Sequence, residues 1–401
     1  MAKKKAKKKA KTKKKSSKPR KKRASKESPS LGLLGTSKLH SPVRERISCG
    51  CSVLDAIMGG PVVTIGGATH IVPSDGTRAT EWGVPVGRIL EVVGGYGTGK
   101  TTFLETLARQ VQLAGGNVYM GITEATLDPD RMVRLGCDPE RIRYHEFEFI
   151  EEGFEWVINV LNSRLSRPNR APDLITWDTV GASHPQDERP GSGSRAVREG
   201  LRKITNLVAR ADTIMVFVNQ TSASFDRFET EPATPFGQGI RFHASIRIEF
   251  RGQKKFLEVD AAQRGGSIFN ESKAAYGIEP VANCRKNKTF PPFRRCRMPV
   301  TFHGGIDDDF ALYLYLSQKK SLVRTSAPQE GERTDLGPVI TLRMTLEGPM
   351  AEEGPSFVVD YPVACYWNEY RSFLQRFPEV REWMVEECRK LAYNGFDPIA
   401  S

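Results

Sequence analysis

The sequence predicts an α/β fold in which helices flank a mixed, mainly parallel β-sheet. Three observations support this prediction. From Ile89 to Gln220, apolar strand patterns alternate with helix patterns, which is typical of a parallel sheet. A glycine-rich loop connects the first of these strands to the first helix. Beyond Gly239 apolar residues recur at every second position, which indicates an antiparallel extension of the sheet.

Length and composition limit the classes of protein to consider. The 401 residues are enough for two domains with terminal extensions, and 39% hydrophobic residues suit a globular core. No apolar run approaches the roughly 18 residues of a membrane span, so we expect no membrane segment or membrane partner. The lysine-rich N-terminus also lacks the apolar stretch of a secretory signal. The seven cysteines are scattered, which predicts reduced thiols in the cytoplasm.

The positive charge of the chain is concentrated at its N-terminus. The formal net charge is +13, but residues 1–27 alone carry fourteen lysines and two arginines against one glutamate. The rest of the chain is therefore close to neutral. With the linker that follows, this segment predicts a disordered basic arm over 1–42. The arm suits DNA binding, but a solvated tail or a nuclear localisation signal at 18–23 explains it as well. The expected location of the protein is the cytoplasm, in association with the nucleoid, and the arm also permits a nuclear location.

The elements before the glycine-rich loop are short. Order is expected to begin near Val43. A helix pattern follows and stops at Gly59 and Gly60. The 61–82 stretch is rich in glycine and threonine and alternates weakly, which predicts a hairpin inserted ahead of the core.

The glycine-rich loop has the sequence of a phosphate-binding P-loop. Gly94, four residues and then Gly99-Lys100-Thr101 match the Walker A pattern, with the required strand before it and helix after it. Glycines let successive N–H groups turn toward one phosphate, and the helix N-terminus adds partial positive charge. Lys100 would reach the β- and γ-phosphates, and Thr101 would bind Mg²⁺. The pattern thus predicts a P-loop NTPase core with ATP and Mg²⁺ as cofactors, bound by Gly94, Gly95, Tyr96, Gly97, Thr98, Gly99, Lys100, Thr101 and Thr102.

Two carboxylates follow later strands of the core. Strand patterns occupy 117–122, 173–178 and 213–220, and helix patterns occupy 103–111, 130–135, 154–161 and 197–208. Asp178 ends a buried strand, which is the Walker B position for holding Mg²⁺. Glu124 comes two residues after another strand. Because parallel strands end at one edge of the sheet, Glu124 is a candidate general base, although alone it would more often be a solvated loop carboxylate.

Segments around these residues resemble the bacterial and phage RecA-type recombinases. The 122–129 segment looks like the part of that family that carries the catalytic glutamate and a nucleotide-contacting aspartate, here Glu124 and Asp128. Val218-Asn219-Gln220 is similar to the strand end with its γ-phosphate-sensing glutamine. The resemblance therefore assigns nucleotide sensing to Gln220.

Further segments match the same family in the same order. The 47–55 segment is similar to the entry to its core, and 237–245 to the exit of its second DNA-binding loop. Arg285-Lys286-Asn287-Lys288 matches the lysine pair that reaches ATP on the neighbouring protomer. Two lysines separated by one residue on a strand point to the same side, so Lys286 and Lys288 could contact one phosphate. The alternative is that they form a solvated basic edge.

The resemblance covers most of 47–307 and implies a RecA-like core. It predicts an ATPase core at 43–303 and a small α+β domain at 304–401. The implied activity is that of a DNA-dependent ATPase. Such a protein assembles as a helical homo-oligomer on single-stranded DNA, and it catalyses homologous pairing and strand exchange with double-stranded DNA in recombination and repair.

Two loops are expected to contact DNA. One lies at 221–236 and mixes aromatic and basic side chains, which suits strands held by backbone charge and base contact. The other lies at 185–195 and contains arginines and flexible glycines. The predicted DNA-binding residues are Arg189, Arg195, Phe225, Arg227, Phe228 and Phe236.

The sequence departs from the family at several positions. Arg131 occupies the place where the family commonly stacks an aromatic ring on adenine; a guanidinium plane can stack too, so Arg131 is a candidate nucleotide-binding residue. The first DNA loop is shorter than usual. The N-terminal helix and strand through which RecA proteins polymerise are not recognisable before Arg44, and the basic arm and the 61–82 insertion are additions.

Two other functions use parts of the same sequence. A ring-forming DNA helicase or motor has the same core but usually completes its site with an arginine finger, so the 285–288 run argues against it. A non-catalytic recombination mediator would bind DNA through the basic arm alone.

Overall fold

The computed structural model describes residues 43, 45–60, 62–65, 68–71, 82–124, 128–167, 171–221, 234–257, 275–318, 322–326, 339–342, 363–366 and 369–394. The predicted basic arm lies outside these residues. Within them, no helix combines the length and the apolar character that crossing a bilayer requires. All seven cysteines are free and buried, in agreement with the predicted reduced thiols.

The secondary structure falls into three stretches of chain. Up to the glycine-rich loop, the elements are β1 (Arg46–Ile47), α1 (Ser52–Met58), β2 (Val62–Ile65), β3 (Ala68–Ile71), β4 (Val84–Pro85) and β5 (Ile89–Gly94). The central elements are α2 (Lys100–Leu113), β6 (Val118–Ile122), α3 (Pro129–Arg134), β7 (Ile142–Glu146), α4 (Ile150–Leu165), β8 (Asp173–Asp178), α5 (Ser192–Arg210), β9 (Thr213–Gln220), α6 (Gly237–His243) and β10 (Ile246–Leu257). The last stretch contains β11 (Ala275–Asn287), β12 (Arg294–Arg297), β13 (Val300–Thr301), β14 (Gly305–Ile306), α7 (Asp308–Leu316), β15 (Val323–Ser326), β16 (Val339–Leu342), β17 (Val363–Tyr366), α8 (Tyr370–Arg376) and α9 (Pro378–Tyr393).

A ten-stranded sheet forms the centre of the fold. Strands β10, β5, β9, β8, β6 and β7 lie side by side in this order, and each neighbouring pair is parallel. Strand β11 pairs antiparallel with β10, and β12, β13 and β14 continue the antiparallel part. The predicted α/β class with a mixed, mainly parallel sheet is therefore confirmed.

Side chains that alternate along the strands pack on opposite faces of the sheet. On one face Leu90 and Val92 of β5 pack with Phe103 of α2, in a cluster that continues into α1, α7 and α9. On the other face Ile89 and Phe217 pack with side chains of α4, α5 and α6. This alternation fixes which residues of each strand end face the P-loop and which face α5 and α6.

Helix α6 lies where the sequence pattern predicts a strand. Alternation at Ile240, Phe242 and Ala244 indicates a strand, but the chain is helical from Gly237 to His243. Ile240 and Ala244 are buried and Phe242 is 75% exposed, because residues four apart share one face of a helix. The strand prediction for 240–244 is wrong, and the strand begins at Ile246.

Strand β7 has no counterpart in the sequence predictions. It lies at the edge of the sheet, and none of its five side chains is buried. An exposed edge strand does not need the apolar alternation by which buried strands are recognised.

The insertion ahead of the core contains the predicted hairpin. Strands β2 and β3 pair antiparallel, and the 72–81 part lies outside the described residues. Its two ends are joined, because the Gly83 amide donates to the Gly59 carbonyl at 3.0 Å. The guanidinium of Arg46 donates to the Gly83 carbonyl at 2.7 Å and to the Thr289 hydroxyl at 3.0 Å. The base of the insertion is thus fixed beside the residues that follow β11.

The predicted boundary between core and C-terminal domain falls inside a hairpin of the central sheet. Residues 303 and 304 separate β13 from β14, and these strands pair with each other. Helices α7 and α9 pack against α1 in the same apolar cluster, while β15, β16 and β17 form a separate sheet. The division into two domains stays a prediction.

Candidate nucleotide-binding and catalytic site

The candidate site lies where four parallel strands of the sheet end. The P-loop follows β5, Glu124 follows β6, and Asp178 and Gln220 are the last residues of β8 and β9. The spatial order of these strands is β6, β8, β9, β5. The structure therefore brings the four sequence-predicted features together at the carboxyl edge of the sheet, where ligands of α/β proteins bind.

The P-loop has a backbone that glycine allows and other residues avoid. Gly97 and Gly99 have φ angles of 63° and 85°, in the left-handed region. At Gly94, an added Cβ would lie 2.7 Å from the Phe250 carbonyl oxygen. The Thr98 hydroxyl donates to the Gly95 carbonyl at 2.9 Å, which holds the loop curled above the first turn of α2.

Lys100 points back over the loop from the start of α2. Its Nζ donates to the carbonyl oxygens of Gly94 at 3.0 Å and Gly95 at 2.7 Å. Burial lowers the pKa of Lys100, and the nearby carboxylates of Asp178 and Glu124 raise it. The ammonium group is thus positioned beside the loop, where it could neutralise a phosphate.

Asp178 faces the start of α2 from the end of β8. Burial raises the pKa of Asp178 to about 6, Lys100 and a hydrogen bond from Thr101 oppose the rise, and Glu124 adds to it. Thr101 and Asp178 both line one pocket at this edge of the sheet. No group of three or more His, Cys, Asp or Glu residues in the described part of the chain could hold a metal ion. A hydroxyl and a carboxylate nevertheless fit Mg²⁺, which takes few protein ligands and completes its shell with phosphate and water.

Glu124 and Gln220 contact each other across the edge of the sheet. The Gln220 amide Nε2 donates to Glu124 Oε1 at 3.4 Å, and both side chains are half-buried. The candidate base and the candidate nucleotide sensor therefore belong to one cluster with Lys100, Thr101 and Asp178.

Arg131 and Asp128 lie at the start of α3, beside the first turns of α2. Asp128 caps α3 by accepting a hydrogen bond from the Arg131 amide at 3.0 Å. The Arg131 guanidinium contacts Glu105, with Nε 3.0 Å from Oε2, and donates to the Thr102 hydroxyl at 2.5 Å. Arg131 is therefore tied to α2 by two side chains, and its stacking on a base stays a prediction.

The buried carboxyl of Glu105 gives a pH-dependent prediction. Burial raises its pKa from 4.5 to about 7, although Arg131 opposes the rise. A carboxyl whose pKa is raised by folding contributes most to stability at low pH, and this contribution is lost as the pH rises through the folded pKa. Between about pH 5 and about pH 7.5, we expect the wild type to lose roughly 1 to 3 kcal/mol of stability relative to Glu105→Gln. Denaturant unfolding of both proteins measures this difference, and a pH-independent difference would contradict it.

Lys286 and Lys288 share one target, which is the C-terminal end of α6. Lys286 Nζ donates to the carbonyl oxygens of Arg241 and Phe242, the latter at 3.2 Å. Lys288 Nζ donates to the Phe242 carbonyl at 3.3 Å. Burial, together with the nearby charge of Lys288, lowers the pKa of Lys286 to about 8. Both ammonium groups therefore lie beside α6 in this protomer.

The first predicted DNA loop is shorter than the sequence suggests. Gly191, at φ 79°, precedes α5, and the helix begins at Ser192. The prediction that the loop continues to Arg195 is wrong, because Arg195 lies in the first turn of α5, where it is exposed. Arg189 remains in the loop, 77% exposed, and pairs with Asp187 at 2.6 Å.

The second predicted DNA loop is described only at its two ends. Phe225, Arg227 and Phe228 lie outside the described residues. Phe236 is half-buried, and its ring packs so closely on α5 that a Cβ added at Gly193 would lie 2.5 Å from it. The structure therefore places the Phe236 ring against the helix.

Helix α5 also has a basic face that the sequence predictions did not include. Arg198 and Arg202 are exposed and follow Arg195 at helical spacing. The signal was present in the sequence, since these arginines lie between the apolar positions of the same helix. His243 connects this face to the lysine pair: its Nδ1 lies 2.9 Å from the Thr205 hydroxyl, and its pKa is lowered by burial and by Lys288, Arg202 and Lys286.

Comparison with known proteins assigns the chain to a family. A model of the RecA N-terminal domain matches residues 76–307, which is more than half of the chain. Protein RecA of Thermus thermophilus is 30% identical over 234 residues, which cover 56% of this chain and 64% of that protein. Protein RecA of Prochlorococcus marinus strain MIT 9515 is 28% identical over 324 residues, 77% of this chain and 76% of that protein. Protein RecA 1 of Myxococcus xanthus is 28% identical over 288 residues, 67% of this chain and 79% of that protein.

The chain thus spans less than two thirds of the Thermus relative. The matched segment nevertheless includes the P-loop, Glu124, Asp178, Gln220 and the lysine pair. The chain belongs to the RecA family.

Proposed function

We propose that this protein is a DNA-dependent ATPase that forms filaments on single-stranded DNA and catalyses homologous pairing and strand exchange in recombination and repair. The observation that carries the proposal is the cluster of Lys100, Thr101, Glu124, Asp178 and Gln220 at one edge of the sheet. Many P-loop proteins have a cluster of this kind, and the membership of the chain in the RecA family supports recombination as its function. We therefore propose that the protein acts in the cytoplasm at the nucleoid, where DNA substrates of this kind are found.

In the proposed mechanism each side chain of the cluster has one task. ATP with Mg²⁺ supplies the bond that is hydrolysed. Lys100 neutralises phosphate charge, and Thr101 and Asp178 hold the metal. Glu124 accepts the proton of the attacking water. Gln220 contacts Glu124 and precedes the 221–236 loop, so it can report the γ-phosphate to the DNA-binding side.

Contacts with DNA are proposed for the loops and for the basic face of α5. Arg189, the residues Phe225, Arg227, Phe228 and Phe236 of the second loop, and the exposed arginines Arg195, Arg198 and Arg202 are the candidates. Arginine side chains in such a row neutralise successive phosphates without regard to sequence, which suits both single-stranded and double-stranded DNA.

We propose that Lys286 and Lys288 act on ATP bound to the neighbouring protomer. Lys286→Ala and Lys288→Ala are then expected to bind nucleotide normally and to lose DNA-stimulated hydrolysis by about 10²-fold, because each removes positive charge from the transition state. Steady-state ATPase rates with and without single-stranded DNA measure this loss. Lys390→Ala, which removes an exposed lysine from α9, is the control and should behave as wild type. Full stimulation in the lysine-pair variants would remove them from the mechanism.

The central test is D-loop formation by the wild type and by Lys100→Ala, combined with ATPase rates on both. We expect DNA-stimulated hydrolysis and D-loops in the wild type and neither in Lys100→Ala. Stimulated hydrolysis without D-loops, together with closed rings in electron micrographs, would favour a DNA motor. DNA binding without stimulated hydrolysis, lost when residues 1–27 are removed, would favour a mediator.

A further inference from the structure

A row of buried polar side chains crosses the sheet on the face opposite the P-loop helix. Glu91 of β5 is opposite Arg247 of β10, and Arg247 is opposite Lys286 of β11. Arg247 Nε donates to Glu91 Oε2 at 2.9 Å, and the two side chains are 1% and 0% exposed. Charged groups this deeply buried are expensive and are kept only where they are paired.

Asn219 extends this row toward the nucleotide site. It is the penultimate residue of β9, it is fully buried, and its amide Nδ2 donates to Glu91 Oε1 at 3.3 Å. Because side chains alternate along a strand, Asn219 faces Glu91 while its neighbour Gln220 faces Glu124. Any rotation of this strand end that moves Gln220 therefore moves Asn219 as well.

The same amide group reaches the backbone on the DNA-binding side. Asn219 Nδ2 lies 3.4 Å from the carbonyl oxygen of Pro235, one of the first residues described after the 222–233 stretch. Both neighbours of Nδ2 are acceptors, which supports the orientation of the amide. Asn219 Oδ1, although buried, accepts no hydrogen bond within the described part of the chain. A buried acceptor without a donor lowers the stability of the fold, so an amide side chain at this position calls for a functional explanation.

Pro235 also contacts the chain that follows Asp178. A Cβ added at Gly181 would lie 2.9 Å from Pro235 Cγ. Pro235 is therefore enclosed between Gly181, three residues after Asp178, and Asn219, one residue before Gln220. Both contacts come from strand ends that carry residues of the candidate nucleotide site.

We propose that Asn219, held by the Glu91–Arg247 pair, is a positioning residue that couples the nucleotide-facing end of β9 to Pro235 and so to DNA affinity. The inference rests on the proposed function, since it explains how nucleotide state would reach the DNA-binding side. Asn219 Nδ2 donates both to Glu91 and to the Pro235 carbonyl. A displacement of the end of β9 therefore changes the hydrogen bond between Asn219 and Pro235.

The test compares three variants of the full chain. Asn219→Ala removes the shared donor. Gly181→Ala disturbs Pro235 from the opposite side: the added Cβ would lie 2.9 Å from Pro235 Cγ and only in ordinary contact, at 3.8 Å, with Asn219 Oδ1, and it leaves the Asn219 Nδ2 donor in place. Thr213→Val is the control, because Thr213 is a buried polar residue at the far end of the same strand.

Two ratios are measured for each protein. The first is the affinity for an oligothymidine in the presence of a non-hydrolysable ATP analogue divided by the affinity in its absence. The second is the ATPase rate with the oligothymidine divided by the rate without it. We expect Asn219→Ala and Gly181→Ala to lower each ratio by about tenfold, with the DNA-independent rate and the nucleotide affinity within about twofold of wild type. Thr213→Val should keep both ratios even if its melting temperature falls.

The outcomes separate this inference from the proposed function. Wild-type ratios in Asn219→Ala would overturn the role of Asn219 and leave the proposed function standing. An equal loss in Thr213→Val would show that general destabilisation, not positioning, lowers the ratios. If the DNA affinity of the wild type does not respond to the ATP analogue, and its ATPase rate does not respond to the oligothymidine, the proposed function and the inference are overturned together.

Discussion

Replacement of Glu124 with Gln is expected to slow ATP hydrolysis by about 10²- to 10⁴-fold, the usual contribution of a general base. Nucleotide affinity should change little, because the amide has the same shape and its Oε1 can still accept the hydrogen bond from Gln220. The charge beside Lys100 and Asp178 is removed at the same time. Because the variant should bind ATP normally but hydrolyse it slowly, we expect it to form long-lived ATP complexes on DNA.

Single-turnover hydrolysis and equilibrium binding of a fluorescent ATP analogue separate the two effects. Glu140→Gln, which changes an exposed glutamate in the turn before β7, is a suitable control and should hydrolyse ATP at the wild-type rate. Rates for Glu124→Gln within a few-fold of wild type would show that another group takes the proton from water.

The second large effect is expected from Arg247→Met, which should lower the free energy of unfolding by about 3 to 5 kcal/mol. Methionine keeps most of the arginine's apolar stem but leaves the Glu91 carboxylate buried without its 2.9 Å partner. Burial already raises the pKa of Glu91, and Arg247 is the main opposing influence. For a domain of this size the melting temperature should fall on the order of 10 °C.

Arg251→Met is the matched control for Arg247→Met. Arg251 also forms an ion pair on β10, at 2.6 Å from Glu249, but its side chain is 51% exposed. Glu249 keeps a second partner, since Arg285 lies 2.6 Å away. The control should cost less than about 1 kcal/mol. Equal losses from the two variants in denaturant unfolding would contradict the importance of the buried pair.

The sequence was most informative where function and local pattern coincide. Lys100 and Thr101 are recognisable because the glycines, the lysine and the flanking elements occupy one short stretch of chain. Asp178 and Gln220 could be placed because buried parallel strands are apolar runs, and their ends meet at one edge of the sheet. The central α/β fold followed from the same alternation of strands and helices.

Contacts between distant segments were not readable in the sequence. Nothing local indicates that Glu91 would pair with Arg247, or that Pro235 would lie between Gly181 and Asn219. The error at α6 has a different cause: over seven residues an i, i+4 pair and a period of two select overlapping positions, and only burial separates them. Arg131 could be aligned with a base-stacking position, but its ties to Glu105 and Thr102 depend on how α2 and α3 pack.

The closed base of the 61–82 insertion has a consequence for evolution and for engineering. The amide of Gly83 already bonds the carbonyl of Gly59, so the chain enters and leaves the insertion at one point. A segment with joined ends can be gained, lost or exchanged without redirecting the chain on either side. The β2–β3 hairpin is therefore a natural exchange point in this chain, where we expect an affinity tag or a fluorophore to replace native residues. Arg46 then keeps the junction closed, and the buried Trp82 keeps its contact with Phe290.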